Sequence, residues 1–233
     1  MAQLSPAEIR LLEALDERAL IEDLVRQVRV PSVTGSAAES ELVGLTADAV
    51  AQADLDVDHW QIDLDQLAGH PDYPGCEAPR SEAYGLVATT PGGGTPALVL
   101  QGHVDVVPIG DPVRWGASDP FGAEIVDGVL HGRGACDMKA GVAANAAVLR
   151  AVLASGVRLE RPLAVHWVVS EEDGGLGALA TLLRGHRGDA AVITEPTSGN
   201  IVVANAGALT FRIEIEGRAA HGSTRNEGVS AFE

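Results

Sequence analysis

The stretch Ala97-Leu-Val-Leu-Gln-Gly-His103-Val-Asp105 runs from an apolar segment straight into a metal-capable imidazole, and two later segments repeat the design. Leu163 to Val169 leads into Glu171 and Glu172, and Ala190 to Ile193 leads into Glu195. Short apolar runs of this kind read as strands buried on both faces. In an open α/β sheet, ligands and chemistry collect at the carboxyl ends of the strands, so these side chains are expected to converge on one crevice. With Asp137 beside them, the expectation is a two-metal hydrolytic site.

Outward from these strands the chain keeps an α/β rhythm. An alanine-rich helix is predicted from about Lys139 to Ser155, followed by strand, helix and strand to Ile193. That alternation implies a largely parallel sheet covered by helices on both faces. Gly85 to Thr90 and Ala97 to Gly102 flank Pro91-Gly92-Gly93-Gly94-Thr95-Pro96, a hairpin signal; no Walker Lys-Ser or Lys-Thr follows those glycines. Upstream, Ser5-Pro6-Ala7-Glu8 reads as a capping box opening a helix through roughly Val28, with a break near Asp16. Ser36 with Glu39 repeats the signature for a second helix. Trp60, Ile62 and Leu64 alternate as a strand. Asp65 to Glu82, rich in Pro, Gly and charge, reads as an irregular surface loop in which His70, Asp72 and Cys76 are loop residues. The grammar changes near Ala206: Ala208 to Glu216 alternates apolar and polar residues as a half-exposed strand, and a helix is expected from Val229. The domain expectation is therefore 1–206 for a first domain and 207–233 for the beginning of a second.

Composition narrows the function classes. The chain has 233 residues, enough for a sizeable core. Lys plus Arg number 16 against 33 Asp plus Glu, a net charge of -17. Such a surface repels phosphate backbones and anionic headgroups, so nucleic acid and membranes are poor partners. Most of these acids read as solvated surface. Two cysteines, Cys76 and Cys136, build no disulfide framework, which points to a reducing cytoplasm. The amino terminus lacks a basic segment followed by an apolar block, and no stretch approaches membrane-span length, so a soluble, unprocessed protein is expected.

Each motif has a chemical reading and a plainer one. His103 and Asp105 sit two apart on an extended segment, so Asp105 can hydrogen-bond the imidazole whose other nitrogen binds metal; the pattern alone is common. Asp137 stands where the glycine-rich loop Gly132 to Cys136 meets a helix amino terminus, placed to bridge two cations or simply to cap the helix. Glu171 and Glu172 follow an apolar strand directly: one carboxylate can bind metal while its neighbour handles a proton. The alternative is an exposed acidic loop from Glu171 to Asp173. Glu195-Pro196 is weaker alone, and the weight comes from all four motifs occurring in order.

Those motifs, Gly102 to Pro108, Gly132 to Gly141, Glu171-Glu172, Thr194-Glu195-Pro196 and Ala220-His221-Gly222-Ser223, resemble the zinc metallopeptidases and deacylases that include acetylornithine deacetylase, succinyl-diaminopimelate desuccinylase, aminoacylase and glutamate carboxypeptidase. Trp115, Asp119 to Phe121 and Asp127-Gly128 match the stretch linking the first two motifs. The resemblance covers about Leu20 to Glu233. It implies a zinc-peptidase-like catalytic domain and, from 207, the start of an inserted α+β lid and dimerisation domain. It further implies that His103 and Glu195 bind one zinc, that Asp137 bridges and that Glu172 binds the other, with cobalt or manganese as alternative metals. Asp105 would orient His103, Glu171 would be the general base, and His221 would reach a partner subunit's site to stabilise the oxyanion. The Asp137-Met138 peptide would be cis. Glu at 195, where the aminopeptidase branch tends to have Asp, favours the deacylase and carboxypeptidase branch. Two departures stand out. Gly228-Val229-Ser230-Ala231 replaces the family's Gly-Val-Asn-Ala, with Arg225 where proline is frequent. The second zinc's histidine lies after the lid in the family, so the chain is expected to be part of a protein roughly twice as long.

The expected function is metal-dependent hydrolysis of the amide of a small N-acyl amino acid by a homodimer. A dipeptidase or carboxypeptidase with the same metals is the alternative within enzymes, and a non-catalytic metal-binding fragment the alternative outside them.

Overall fold

The computed structural model describes residues 3–204, 206–207 and 211–232. It divides into two compact units, Met1–Pro196 and Thr197–Glu233.

The first unit opens with two helices. Ser5 and Glu8 form the expected capping box on α1 (Pro6–Glu13), and Asp16 caps α2 (Glu17–Arg29) through its carboxylate, at the break expected there. Then follow α3 (Ala37–Val50), β1 (Asp56–Gln61), the short α4 (Leu64–Ala68), β2 (Tyr84–Thr89) and β3 (Leu98–His103). A small ribbon of β4 (Glu124–Val126) and β5 (Val129–His131) precedes α5 (Ala140–Ala154), β6 (Leu163–Val168), α6 (Leu176–Leu183) and β7 (Ala190–Ile193). Leu64, expected in a strand, starts α4 because Asp63 accepts from the Gln66 amide and caps it.

The main sheet has the order β1-β2-β6-β3-β7. β3 is parallel to both β6 and β7, while β2 runs antiparallel to β1 and β6, so all strands but β2 share one direction. The expected α/β class holds, but the hairpin expected between β2 and β3 does not form. β6 lies between them, pairing Val165 with Ala88 on one side and Leu100 on the other. All six residues of β6 are buried, so this strand satisfies its backbone and both faces only at the sheet's centre. The core clusters around Leu86, Val165, Trp167, Val142 and Leu176, with α5 packed on β3 and β6, and α3 and α6 on β2.

One glycine fixes a close approach. A Cβ on Gly141, in the first turn of α5, would stand 2.3 Å from the Thr194 carbonyl oxygen, so only glycine lets the helix start meet the end of β7.

The second unit is less regular. The strand expected over Ala208 to Glu216 falls partly on 208–210, outside the described residues; 211–216 form no strand, and Phe211, Ile213 and Ile215 are exposed. A strand needs a hydrogen-bonding neighbour, and among the described residues of this unit the pairing is a single bridge, Arg218 with Val229. Val229 sits in that bridge and starts no helix. A 3-10 segment, Gly222–Glu227, follows His221.

Candidate metal centre

β3, β6 and β7 deliver their metal-capable side chains to one end of the sheet because they run parallel. β3 ends at His103, whose Nε2 faces Asp137 Oδ1 at 3.2 Å, Glu171 Oε2 at 3.8 Å and Glu195 Oε1 at 3.9 Å. One ligand atom each from His103, Asp137 and Glu172 lie within 4.8 Å of one another. All the sequence-predicted residues of the first unit therefore meet at one place.

Behind the imidazole, Nδ1 is 2.9 Å from the Asp105 backbone carbonyl and 3.5 Å from its carboxylate. The carbonyl is the nearer acceptor, fixing the ring so that Nε2 points outward as an available ligand. The Asp105 carboxylate is fully buried and also organises the turn after β6. Its Oδ1 accepts the Glu171 amide at 3.2 Å, and its Oδ2 accepts the Glu172 amide at 3.2 Å and the Thr34 hydroxyl at 2.9 Å. Thr34 is within reach because 32–34 runs beside 104–106, joined by the Val106 to Ser32 and Thr34 to Val106 amide bonds.

Asp137 is presented by the loop Gly132 to Lys139. The Asp137-Met138 peptide is cis, as the resemblance implied. Lys139 is fully buried, and its ammonium donates to the carbonyls of Gln27 and Val30, both at 2.9 Å, anchoring the loop on the end of α2. Burial pushes this lysine down to about 8.

The electrostatics fit a cation. Burial first, and repulsion from Asp137 next, push the Glu172 carboxyl up to about 6; Glu195 is raised by burial and by Asp137 and Glu171 against the pull of His103. Burial alone would lower His103, but the Asp105 carboxylate, with Glu171 and Glu195, carries it up to about 9. Carboxylates crowding a single imidazole, with no lysine or arginine among the paired groups, leave excess negative charge that a divalent cation would neutralise. A donor set of imidazole and carboxylates suits zinc, cobalt or manganese.

Sequence reasoning missed a buried ion network beneath the site. Arg80, in the loop read as irregular surface, has a side chain only 2% exposed and bridges Glu39 at 2.9 Å and Asp173 at 3.3 Å. Glu39 does not complete the expected capping box of α3: Ser36 makes no cap bond, and Glu39 accepts from the amides of Gly35 and Ser170 instead. Asp173 lies in no exposed acidic loop; its carboxylate is buried against Arg80. A three-residue spacing and a Pro/Gly-rich loop carry no trace of such long-range pairing.

His221 belongs to the second unit, is exposed, and accepts the Ser223 amide at Nδ1, with the Ser223 hydroxyl at 2.8 Å from the same nitrogen. With Nδ1 accepting that amide, the neutral ring carries its hydrogen on Nε2.

The fold and the centre define an α/β chain with a candidate cation site at its strand ends. Residues 99–231 match the profile of "Peptidase family M20/M25/M40", and the chain belongs to that family. Succinyl-diaminopimelate desuccinylase of Xanthomonas campestris pv. campestris is 36% identical over 198 residues, covering 78% of this chain and 51% of the relative. The chain thus spans about half the length of the curated relatives it matches. Human carnosine dipeptidase 1 superposes with a TM-score of 0.62 at 20% identity over 82% of this chain and 41% of that one. The dipeptidase Dug1p from Saccharomyces cerevisiae gives 0.61 at 19% identity, over 80% and 40%. These two likenesses establish the fold. Among the described residues no helix is long and apolar enough to cross a membrane.

Proposed function

We propose that the full-length protein hydrolyses the amide bond of a small N-acyl amino acid, in the manner its desuccinylase relatives are named for. The observation that carries this reading is the convergence of His103, Glu171, Glu172 and Glu195 at the ends of parallel strands, met by Asp137 from the loop before α5. His103 and Glu195 would hold one zinc, Glu172 a second, and Asp137 both. Bound there, the cations supply Lewis acidity toward the scissile carbonyl and a water acidified toward neutral pH.

Glu171 is the general base: its side chain is half exposed, so it can meet a water, and its amide is pinned by Asp105. It takes the proton of the attacking water and delivers it to the leaving amine. Asp105 holds His103 in the tautomer with a free Nε2 and keeps the Glu171-Glu172 turn in register. His221, through its Nε2 hydrogen, donates to the developing oxyanion in the site of a partner subunit, which makes the working unit a homodimer. Residues 207–233 would begin the lid that carries it, and exposed Arg225 is a cation available to a substrate carboxylate. The unpaired cysteines support a cytoplasmic setting.

The test is a substrate panel on the zinc-loaded full-length protein: N-succinyl-diaminopimelate, N-acetylornithine and small dipeptides. Metal-dependent release of the acyl group is expected. Cleavage of dipeptides alone would favour a dipeptidase, and a metal-loaded protein inert on every amide would refute the reading.

A further inference from the structure

Three consecutive backbone amides just after β6 donate to two buried carboxylates: Ser170 to Glu39 Oε1 at 2.9 Å, and Glu171 and Glu172 to Asp105 at 3.2 Å each. The turn that presents Glu171 and Glu172 is therefore held from two sides. Asp105 also meets His103 directly, whereas the Glu39 carboxylate accepts from the amides of Gly35 and Ser170 and from Arg80.

What holds Glu39 is Arg80. Its guanidinium meets Glu39 through Nη1 and Asp173 through Nη2. Asp173 returns to the same turn, because Ser170 donates its hydroxyl to it, while its other oxygen accepts the amides of Glu77 and Ala78 at 3.2 and 2.9 Å. Ser170 is fully buried and adopts a positive φ of 61°, a conformation that a non-glycine residue keeps only when its surroundings enforce it. The enforcing contacts are those just named, together with the Gly175 amide on the Ser170 carbonyl. Glu39 and Asp173 are buried carboxyl groups, burial and the nearby Asp105 pushing Glu39 up to about 7 against the pull of Arg80, and Arg80 is the cation that the two of them share.

We propose that Arg80 is a positioning residue, which through Glu39 and Asp173 sets the backbone of Ser170 to Glu172 and so fixes where Glu171 and Glu172 stand relative to His103 and Asp137. This rests on the function proposed above for the kinetic part of its test. Among the described residues Arg80 pairs with Glu39 and Asp173, and with none of His103, Asp137, Glu171, Glu172 and Glu195. Its planar fork is what allows one side chain to bridge two carboxylates on different segments, a geometry that a lysine ammonium does not reproduce.

The experiment compares Arg80→Lys with the wild type in the full-length protein by zinc titration, steady-state kinetics and amide hydrogen exchange resolved along β6 and the turn after it. The expected result is a kcat lowered about tenfold or more with KM little changed, zinc bound about tenfold more weakly at one of two sites, and faster exchange confined to Ser170, Glu171 and Glu172. Uniformly faster exchange from Val165 through Glu172, with kcat per folded molecule and zinc affinity within about twofold of the wild type, would reduce Arg80 to a stabilising residue and overturn the proposal. If Arg80→Lys does not fold, Asp173→Asn takes the same measurements, since it keeps an oxygen for the Glu77 and Ala78 amides while removing one ion pair. Should the wild type hydrolyse no amide, the proposed function fails, and zinc affinity with the exchange pattern still decides the role of Arg80. Should it bind no zinc either, the exchange pattern alone decides it.

Discussion

Replacing Asp105 by Asn tests the centre at the atom that joins its two halves. The carboxylate accepts three donors, Thr34 and Glu172 at Oδ2 and Glu171 at Oδ1, in a fully buried position. An amide side chain has one oxygen. If that oxygen takes the Oδ2 position, the new NH2 group faces the Glu171 N–H, and a buried donor loses its acceptor; turned the other way, Thr34 and Glu172 lose theirs. One charge-assisted bond is lost and at least one backbone amide is left unsatisfied, which together cost about 2–4 kcal/mol. His103 keeps its bond to the Asp105 backbone carbonyl, so its ring stays oriented and the loss falls on the Glu171-Glu172 turn. Urea unfolding at pH 7 should show that destabilisation. Steady-state kinetics on the folded variant should show kcat reduced about tenfold or more, because Glu171, the proposed general base, is no longer held. Unfolding free energy within about 0.5 kcal/mol of the wild type, the range of an inconsequential surface change, would refute the assignment of those bonds.

Glu171→Gln in the full-length protein should lower kcat by about 100-fold or more while zinc content by mass spectrometry stays at the wild-type level; loss of most zinc would instead make Glu171 a ligand. His103→Ala should deplete zinc and activity together in the same assay. Burial, with some repulsion from His186, pushes the His166 imidazole down to about 4, against 6.5 when unfolded, so its neutral form is the one that folds. The stability this gives is present above pH 6.5 and drains away as pH falls toward 4; at pH 5 the wild type should have lost about 2 kcal/mol relative to pH 7 that His166→Leu does not lose, measured by urea unfolding at both pH values. Equal losses in the two proteins would show that His166 is not buried neutral. Mixing His221→Ala chains with Glu171→Gln chains should recover part of the activity that neither homodimer has, because one site then carries both intact groups; no recovery in verified mixed dimers would place His221 within its own chain's site or outside the chemistry.

Much of the centre was legible because its logic is local. His103, Glu171, Glu172 and Glu195 each follow an apolar run short enough to be one strand, and parallel strands bring their carboxyl ends to one side whatever their order. The capping residues Ser5 and Glu8 act within a single turn, so residue type and spacing were enough to find them. The order of the sheet was not local. Pro91 to Pro96 has the composition of a hairpin turn, yet β6, far along the chain, enters between β2 and β3 because it is buried along its whole length and needs a neighbour on each edge. Ser36 and Glu39 have the spacing of a capping box, but the buried Arg80 and the Ser170 amide make stronger claims on that carboxylate than the helix start does. The alternation after Ala208 matched a strand, and 211–216 has none, because period two describes which side a residue faces and supplies no partner for its amides. The sequence by itself determined which residues could do the chemistry and at which strand ends they sit. Only the tertiary structure decided what holds them in place, since buried charges choose partners by proximity in space, and Glu39, Arg80 and Asp173 come from three segments that no pattern along the chain connects.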